Sequence, residues 1–435
     1  MRPALTVLVL AFGLITSAAA APLAERVVLP NGLVLLVSER RALPVVAVSA
    51  YVRAGAVLDP PGSGGLANLT AALLTRGTAR RSAADLDRAI ESVGGSIGAG
   101  GGRDGAAVSL GVLSKDLPLG LDLLAEVLTQ PAFPEDEVKR KIGEVQAALQ
   151  NAETEPDSVA GRALAPLIYG THPYANPTPG TMSSVATLDR AQVVRFHRDH
   201  FRPDATVVTV VGDVSAAEMR AALTARLGAW RAPATPLPTI PPAPLAMPSA
   251  SRTITRELTQ ATILLGRPAI RQRDPDYPAL VVATYVLGGG STSRLYGKVR
   301  EERGLAYSVG AGVSAARHGA SLVVSLQTRR QSADEALRLV REEMRRLTAS
   351  DVSPTELALA KAYLIGSYAL RTDTSSKLAV LIGSLEELGL GLDYPDRYRE
   401  RIAAVTLADV RRVAARYLDP DTYATVIVTG SGAAP

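Results

Sequence analysis

One glycine-rich stretch, from Leu287 to Val309, contains the arginine and tyrosine whose types and spacing best support chemistry: Arg300 and Tyr307. Three glycines end an apolar run predicted to be helical, serines can cap a new short helix carrying Arg300, and a further glycine ends that helix before Tyr307 opens a strand. Because a turn separates the two residues, both could face one cavity and hold a peptide carbonyl. The alternative is a helix-turn-strand corner with a surface arginine and a packing tyrosine.

The histidines offer a second candidate site. His197 and His200 lie at i and i+3 on a predicted helix, a spacing that can support a metal pair but is common by chance. Polar residues of such a helix usually face solvent, which is the interpretation we favour. His172 belongs to a His-Pro-Tyr turn and is predicted to be structural, and His318 in a turn between strands suggests no specific role.

Other catalytic classes lack their defining residues. The sequence contains no cysteine, which excludes disulfides, thiolate zinc sites and cysteine nucleophiles. No serine lies in a Gly-x-Ser-x-Gly elbow, so a serine hydrolase has no support. The glycines from Gly94 to Gly105 lack a phosphate-loop lysine, and they predict a flexible loop that leads into a strand at Ala106.

The N-terminal residues predict export. Residues 1–20 combine a short basic region at Arg2, an apolar run from Ala4 to Ile15 and small residues that end at Ala20. This pattern is typical of a cleaved signal peptide, since the apolar run is too short to span a bilayer. An uncleaved anchor is the alternative. We expect an exported protein, with the periplasm as its location and no membrane span after cleavage.

Charge and composition limit the class of partner. The net charge is +5 and 47% of the residues are hydrophobic, which is enough to bury large cores. The basic residues are scattered through helices, and there is one tryptophan with only four phenylalanines. Without a basic run or basic-aromatic interleaving, nucleic-acid binding is not expected.

A proline-rich segment divides the chain into two similar halves. Seven prolines between Pro233 and Pro248 can enter neither a helix nor a central strand, and they predict a semi-rigid linker at 233–250. The predicted domains are therefore 22–232 and 251–435. Each half ends with a Thr-Leu, a helix, an Asp-Pro or Pro-Asp turn and a strand that reaches Gly212 or Gly430, which indicates domain duplication.

Each half mixes strands with amphipathic helices. A hairpin is predicted around Pro30-Asn31-Gly32, followed by an apolar strand at 45–52 and long helices at 117–128, 135–151 and 189–200. The second half shows strands near 263–265, 307–313 and 322–326 among further helices. The sequence therefore predicts an α+β fold with two homologous domains, each a mostly antiparallel sheet packed with helices.

Several short segments in one order resemble the insulinase/pitrilysin-like, or inverzincin, zinc metallopeptidases. These segments are Asn31-Gly32-Leu33, Gly65-Leu66-Ala67, Arg76-Gly77-Thr78, the run from Tyr169 to Tyr174 and the stretch from Leu287 to Val309. The resemblance covers almost the whole mature chain. It implies that two homologous α+β domains form half of a clamshell that closes around a peptide.

The zinc motif of this family is degenerate here. Catalytic members carry His-x-x-Glu-His on a helix, with two zinc ligands on one face and a glutamate as general base. This sequence has Asn68 and Ala72 at the ligand positions, Ala71 at the base, and Ala148 near the expected third ligand. An alanine side chain has no lone pair to donate. We therefore expect no metal and no cofactor on this chain, and no peptidase activity from the chain alone.

The arginine-tyrosine pair, by contrast, matches the family. Active members place these two residues across the cavity from zinc, where they can bind the substrate and stabilise the oxyanion formed on a peptide carbonyl. Arg300 and Tyr307 match these positions. The resemblance implies a non-catalytic subunit that pairs with a homologous zinc-bearing subunit as a heterodimer, binds peptide substrates and serves the partner's zinc. The alternative is a catalytically inert peptide-binding or scaffold protein of the same fold.

Overall fold

A computed structural model describes residues 23–349 and 352–430. The predicted signal peptide at 1–20 lies outside the described residues. The predicted α+β fold is confirmed, because helices pack against two separate sheets. No helix within the described ranges is long and apolar enough to cross a membrane.

The first half is built on a six-stranded sheet, counted over the described residues, whose strands run in the order β1-β2-β6-β3-β5-β4. All its neighbouring strands are antiparallel except β2 and β6. The strands are β1 Glu25–Val28, β2 Val34–Glu39, β3 Val45–Val52, β4 Ser96–Gly101, β5 Ala106–Leu113 and β6 Thr206–Gly212. The helices are α1 Leu66–Leu73, α2 Ala83–Glu91, α3 Leu117–Thr129, α4 Glu135–Ala152, α5 Pro156–Tyr169, α6 Met182–Val185, α7 Arg190–His200 and α8 Ala216–Leu227.

The second half is built on a five-stranded sheet, again over the described residues, in the order β7-β11-β8-β10-β9. Here β7 and β11 are the parallel pair. The strands are β7 Ser251–Arg256, β8 Gln260–Ala269, β9 Ala306–Ala315, β10 Ala320–Arg329 and β11 Ala424–Gly430. The helices are α9 Tyr277–Gly288, α10 Ala333–Ala349, α11 Pro354–Ser367, α12 Ser375–Glu387, α13 Tyr394–Ala404 and α14 Leu407–Tyr417, and a π-helical segment spans Tyr296–Glu302.

The two sheets share one topology. Without β1, the order β2-β6-β3-β5-β4 in the first half matches β7-β11-β8-β10-β9 in the second, and the single parallel pair occupies the same place in both. The last strand of each half, β6 or β11, inserts between earlier strands. This match supports the duplication that the sequence indicates, and it makes α1 and α9 equivalent helices.

The glycines from Gly94 to Gly105 do not form a flexible loop throughout, so that prediction was wrong. Residues Ser96–Gly101, three of which are glycines, form the edge strand β4, which pairs with β5 along its length. The glycines are required by close packing: a Cβ on Gly101 would lie 2.6 Å from the Cα of Asn68 in α1. Glycine therefore allows this strand to approach the helix, although its weak strand propensity hides the strand in the sequence.

Each half contributes a helix to the other half's sheet. Helix α5 packs on β8 and β11, with Leu164 so close to Gly266 that a Cβ there would lie 2.7 Å from Leu164 Cδ2. Helix α12 packs in return on β3 and β6, where the buried Ile382 joins Val207 and Val211 in one apolar cluster. The outer faces of both sheets are thus covered by exchanged helices.

The proline-rich residues 233–250 contain neither helix nor strand, but hydrogen bonds attach them to both halves. Arg202 donates to the Thr235 carbonyl over 2.6 Å, and Ala243 N donates to the His318 carbonyl over 2.7 Å. The segment that precedes β7 is therefore hydrogen-bonded to both halves.

Candidate functional site

Arg300 lies on an unusual helical turn. The segment Tyr296–Glu302 is π-helical, and Gly304 ends it with a φ of +60°. Ser293 Oγ accepts a hydrogen bond of 3.4 Å from Tyr296 N at the start of the segment. The guanidinium of Arg300 is exposed and lies 4.8 Å from the centre of the Tyr296 ring. Isolated π-helical turns occur frequently at functional sites, because they change the direction in which a side chain projects.

Tyr307 occupies a β-bulge. Gln327 of β10 pairs with Ser308 and Thr328 pairs with Ala306, so Tyr307 has no partner residue in the ladder. Its side chain is 78% exposed on an edge strand, although it is a large aromatic residue. A bulge re-aims a side chain away from the regular strand direction. The phenol is therefore presented to the surface. The alternative interpretation required a tyrosine that packs in the core, and Tyr307 does not.

The segment that bears Arg300 is anchored to α11 by an ion pair. Arg294 donates to both carboxylate oxygens of Glu356, over 2.7 and 3.1 Å. The Arg294 guanidinium, together with capping bonds to Ser353, lowers the pKa of Glu356 to about 2. The bidentate pair fixes the start of the segment on the first turn of α11.

Within the described chain, Arg300 and Tyr307 make no hydrogen bond with each other. The degenerate zinc positions belong to the first half, where α1 packs on β4, α4 and α7, whereas the π-helical segment packs on β9 and α10. The pair and the degenerate zinc positions therefore belong to separate elements of the two halves.

The degenerate zinc positions do not fit a metal ion. Asn68 is half-buried on α1, Ala71 is fully buried in the core and Ala72 is half-buried beside it. Ala148 on α4 is exposed. Only Asn68 has a side-chain donor atom, and one amide oxygen cannot hold zinc. Throughout residues 23–349 and 352–430, no group of three or more histidine, aspartate or glutamate side chains could hold a metal ion.

Asp59 holds the N-terminus of the degenerate helix. Its two carboxylate oxygens accept hydrogen bonds from Gly65 N and Ala67 N, each 2.8 Å long. Gly65, the residue before the helix, has a φ of +95° and provides no side-chain cap. Burial raises the pKa of Asp59 to about 6, although the two backbone hydrogen bonds act in the opposite direction. The Asp59 carboxylate thus takes the place of an N-terminal side-chain cap on α1.

Glu144 is a carboxylate in the middle of α4. It is exposed and forms ion pairs with Arg140 and Lys141 on its own helix. The hydrogen bond from Lys141 lowers the pKa of Glu144. Its contacts are those of an ordinary solvated helix face.

His197 does not face solvent, so the favoured interpretation of this helix was wrong for that residue. Its Nε2 lies 3.0 Å from the Leu128 carbonyl, and its ring packs on Phe133 and Phe201. Burial lowers the pKa of His197 to about 4. The His200 ring instead contacts the Phe196 ring at a tilt, with the ring centres 4.5 Å apart. The two histidines have separate structural contacts. His172 also has structural contacts, with Nδ1 accepting from Tyr174 N over 3.1 Å.

A polar network between the halves was missed by the sequence analysis. Tyr174 donates to Asp104 Oδ1 over 2.6 Å, and Arg317 N donates to Asp104 Oδ2 over 3.1 Å. The Arg317 guanidinium binds the buried Glu387 at 2.5 Å. Burial raises the pKa of Glu387. Aspartate and glycine are both ordinary loop residues, so the glycine-rich run contains no local signal for this contact.

Two family models match this chain in succession. Residues 34–182 match the model described as insulinase (peptidase family M16), and residues 187–364 match the peptidase M16 inactive domain. The chain belongs to the insulinase family, peptidase family M16. It is a member of the inactive type, with the zinc motif replaced as described above.

Relatives in this family align over most of the chain. An uncharacterized zinc protease of Streptomyces coelicolor is 29% identical over 403 residues, covering 90% of this chain and 86% of the relative. A protein of Helicobacter pylori described as a non-peptidase homolog is 25% identical over 379 residues, covering 86% and 87%.

Solved structures show the same fold. The crystal structure of a peptidase M16 inactive domain from Pseudomonas fluorescens is 27% identical with a TM-score of 0.89, covering 95% of this chain and 99% of that one. A protease structure from Helicobacter pylori has a TM-score of 0.88 at 19% identity, covering 94% of this chain and 100% of that one.

Proposed function

We propose that this M16 homologue is the zinc-free subunit of a two-subunit metalloendopeptidase. A homologous partner carries the His-x-x-Glu-His motif and the zinc, while this chain supplies Arg300 and Tyr307 to the peptide substrate. The predicted signal peptide supports export, with the periplasm as the site of action.

The presentation of Arg300 and Tyr307 carries the proposal. A π-helical turn and a β-bulge interrupt regular structure at these two positions, and both side chains are exposed. A scaffold has no use for such distortions, which cost local hydrogen bonding. The guanidinium and the phenol are hydrogen-bond donors that can bind a peptide carbonyl and stabilise the charge that develops on its oxygen.

The degenerate α1 and α4 positions explain why a partner is required. Asn68, Ala71, Ala72 and Ala148 cannot provide a set of zinc ligands and a base. The catalytic metal must therefore come from another chain if Arg300 and Tyr307 act in peptide cleavage.

A reconstitution experiment tests this function. We expect co-expression with the His-x-x-Glu-His homologue of the same source to give a complex that cleaves a fluorogenic peptide faster than the partner alone. Arg300→Ala and Tyr307→Phe should each lower kcat/KM by about 10²–10³-fold, because each removes one donor to the developing charge. Complex formation, followed by size-exclusion chromatography, should be unchanged.

Arg303→Ala is the matched control, since Arg303 is an exposed arginine at the end of the same segment. It should retain the activity of the wild type. If the partner cleaves peptides equally well without this chain, or with the Arg300 and Tyr307 variants, the catalytic role is wrong and the scaffold alternative is favoured.

A further inference from the structure

A cavity of about 380 Å³ lies at the junction of the two halves, away from Arg300 and Tyr307. The first half contributes Arg53 and Asp204 to its wall, and the second contributes Arg271, Arg273 and Arg317. Its size is within the range of sites for small molecules. The lining is dominated by charged side chains, so the balance of their charges determines what the cavity can hold.

The acidic residues in the wall are already neutralised. Asp204 receives a bidentate ion pair from Arg202, with distances of 2.6 and 2.7 Å. Glu386, also in the wall, accepts hydrogen bonds of 2.8 to 3.1 Å from Arg26.

Glu387 completes the acidic set, and it is paired with Arg317 of the same wall. Every carboxylate in the lining therefore has a cationic partner. None remains to balance the other arginines.

Three arginines in the wall have no carboxylate partner. Arg53 donates to the Asp204 backbone carbonyl over 2.8 Å. The side chains of Arg271 and Arg273 make no hydrogen bond or ion pair with any part of the chain that the structure describes. Burial lowers the pKa of His318 in the same wall, which disfavours the charged form of this imidazole. The wall thus presents three guanidinium groups that form no ion pair with a carboxylate of the described residues.

We propose that this cavity binds a small multivalent oxyanion, either a phosphate or a dicarboxylate, through Arg53, Arg271 and Arg273. A guanidinium presents N–H donors in a planar fork that matches the oxygens of phosphate and carboxylate groups. An anion between these residues also relieves the repulsion of neighbouring positive charges. Since Arg53 belongs to the first half and the other two to the second, the bound anion links the halves.

Calorimetric titration with inorganic phosphate, at constant ionic strength maintained with sodium chloride, tests the site. We expect saturable binding with one phosphate per chain and a rise in melting temperature, because a ligand that binds only the folded state stabilises it. Arg271→Gln and Arg273→Gln should each weaken binding by about tenfold, since each removes a charge-assisted contact. Neither side chain has a hydrogen-bond or ion-pair partner among the described residues, so both variants should melt like the wild type without phosphate.

Arg220→Gln, at an exposed arginine on α8 outside the cavity, is the control and should bind phosphate like the wild type. A parallel titration with succinate distinguishes the two anions: tighter binding of succinate identifies a carboxylate site and tighter binding of phosphate a phosphate site. Absence of saturable binding of either anion, or equal binding by wild type and by both cavity variants, would overturn the proposal. The peptidase assay is not needed for any of these results.

Discussion

Asp59 is the residue whose charge state most directly affects the degenerate helix. Its carboxylate caps α1 from outside the helix and has a pKa of about 6, above the ordinary value of 3.8. The folded protein therefore holds a proton on Asp59 at pH values where the unfolded chain has lost it. Stability from this group is complete below about pH 4 and is lost as the pH rises through about 6.

Asp59→Asn should remove this dependence. Relative to the variant, the wild type should lose free energy of unfolding between about pH 4 and pH 6.5, as measured by urea denaturation at each pH. Other titrating groups contribute to both proteins and cancel in the difference. A difference that stays constant with pH, or grows in favour of the wild type, would contradict the raised pKa.

At the scale of single residues, the sequence indicated some of the candidate site residues but not the contacts that position them. Arg300 and Tyr307 could be selected because glycines and a turn isolate them, but the π-helical turn and the bulge that present them depend on packing and pairing. His197 was misjudged because its polarity suggested solvent, whereas a carbonyl of a different helix satisfies its ring nitrogen. Long-range partners of this kind leave no local pattern.

At the scale of elements, strand β4 packs so closely on the degenerate helix α1 that it has no room for a side chain at Gly101. A side chain on Gly101 would collide with the backbone of α1 at Asn68, whereas a Cβ on the neighbouring Gly100 would meet nothing within 4 Å. Adjacent glycines of one strand therefore have different roles.

Gly101→Ala should destabilise the protein by about 1–3 kcal/mol, because either the strand or the helix must shift to admit the methyl group. Gly100→Ala should change the free energy of unfolding by less than about 0.5 kcal/mol. Urea denaturation of both variants measures the contrast. Equal destabilisation would show that the cost comes from strand conformation and not from contact with α1.

Periodicity predicted the elements with amphipathic or apolar patterns well. The hairpin at Gly32, the strand at 45–52 and the helices α3, α4 and α7 lie within one or two residues of their predicted bounds. Strand β4 was missed because glycine supplies neither alternation nor strand propensity. The exchange of α5 and α12 was also not predictable, since both helices have ordinary amphipathic patterns that do not specify which sheet they cover.

The exchanged helices bury apolar side chains of each half against the sheet of the other. Ile382 of α12 belongs to the second half by sequence but is fully buried against β2 and β6 of the first. Trp230, the single tryptophan, packs on the core of the first half. Its fluorescence therefore reports on one half, while circular dichroism reports on both.

Ile382→Ala should lower the free energy of unfolding by about 2–5 kcal/mol, since it leaves a cavity between the halves. The unfolding midpoints measured by fluorescence and by circular dichroism should fall together. The reason is that the side chain removed from α12, a helix of the second half, also packs on the sheet of the first half. Val380→Ala, at a position 60% exposed on the same helix, is the control and should leave both midpoints unchanged. A Trp230 midpoint unaffected by Ile382→Ala would indicate independent halves.

Helix exchange also affects the order in which a nascent chain can fold. Helix α5 is made early, yet its apolar face is covered by β8 and by β11, the last strand that the structure describes. During synthesis the first half therefore emerges with its own core but with α5 uncovered, and this exposed apolar surface favours aggregation. We expect the newly made first half to depend on chaperones until β11 has been synthesised. A ribosome that stalls in the second half should therefore release an aggregation-prone fragment and not a folded domain.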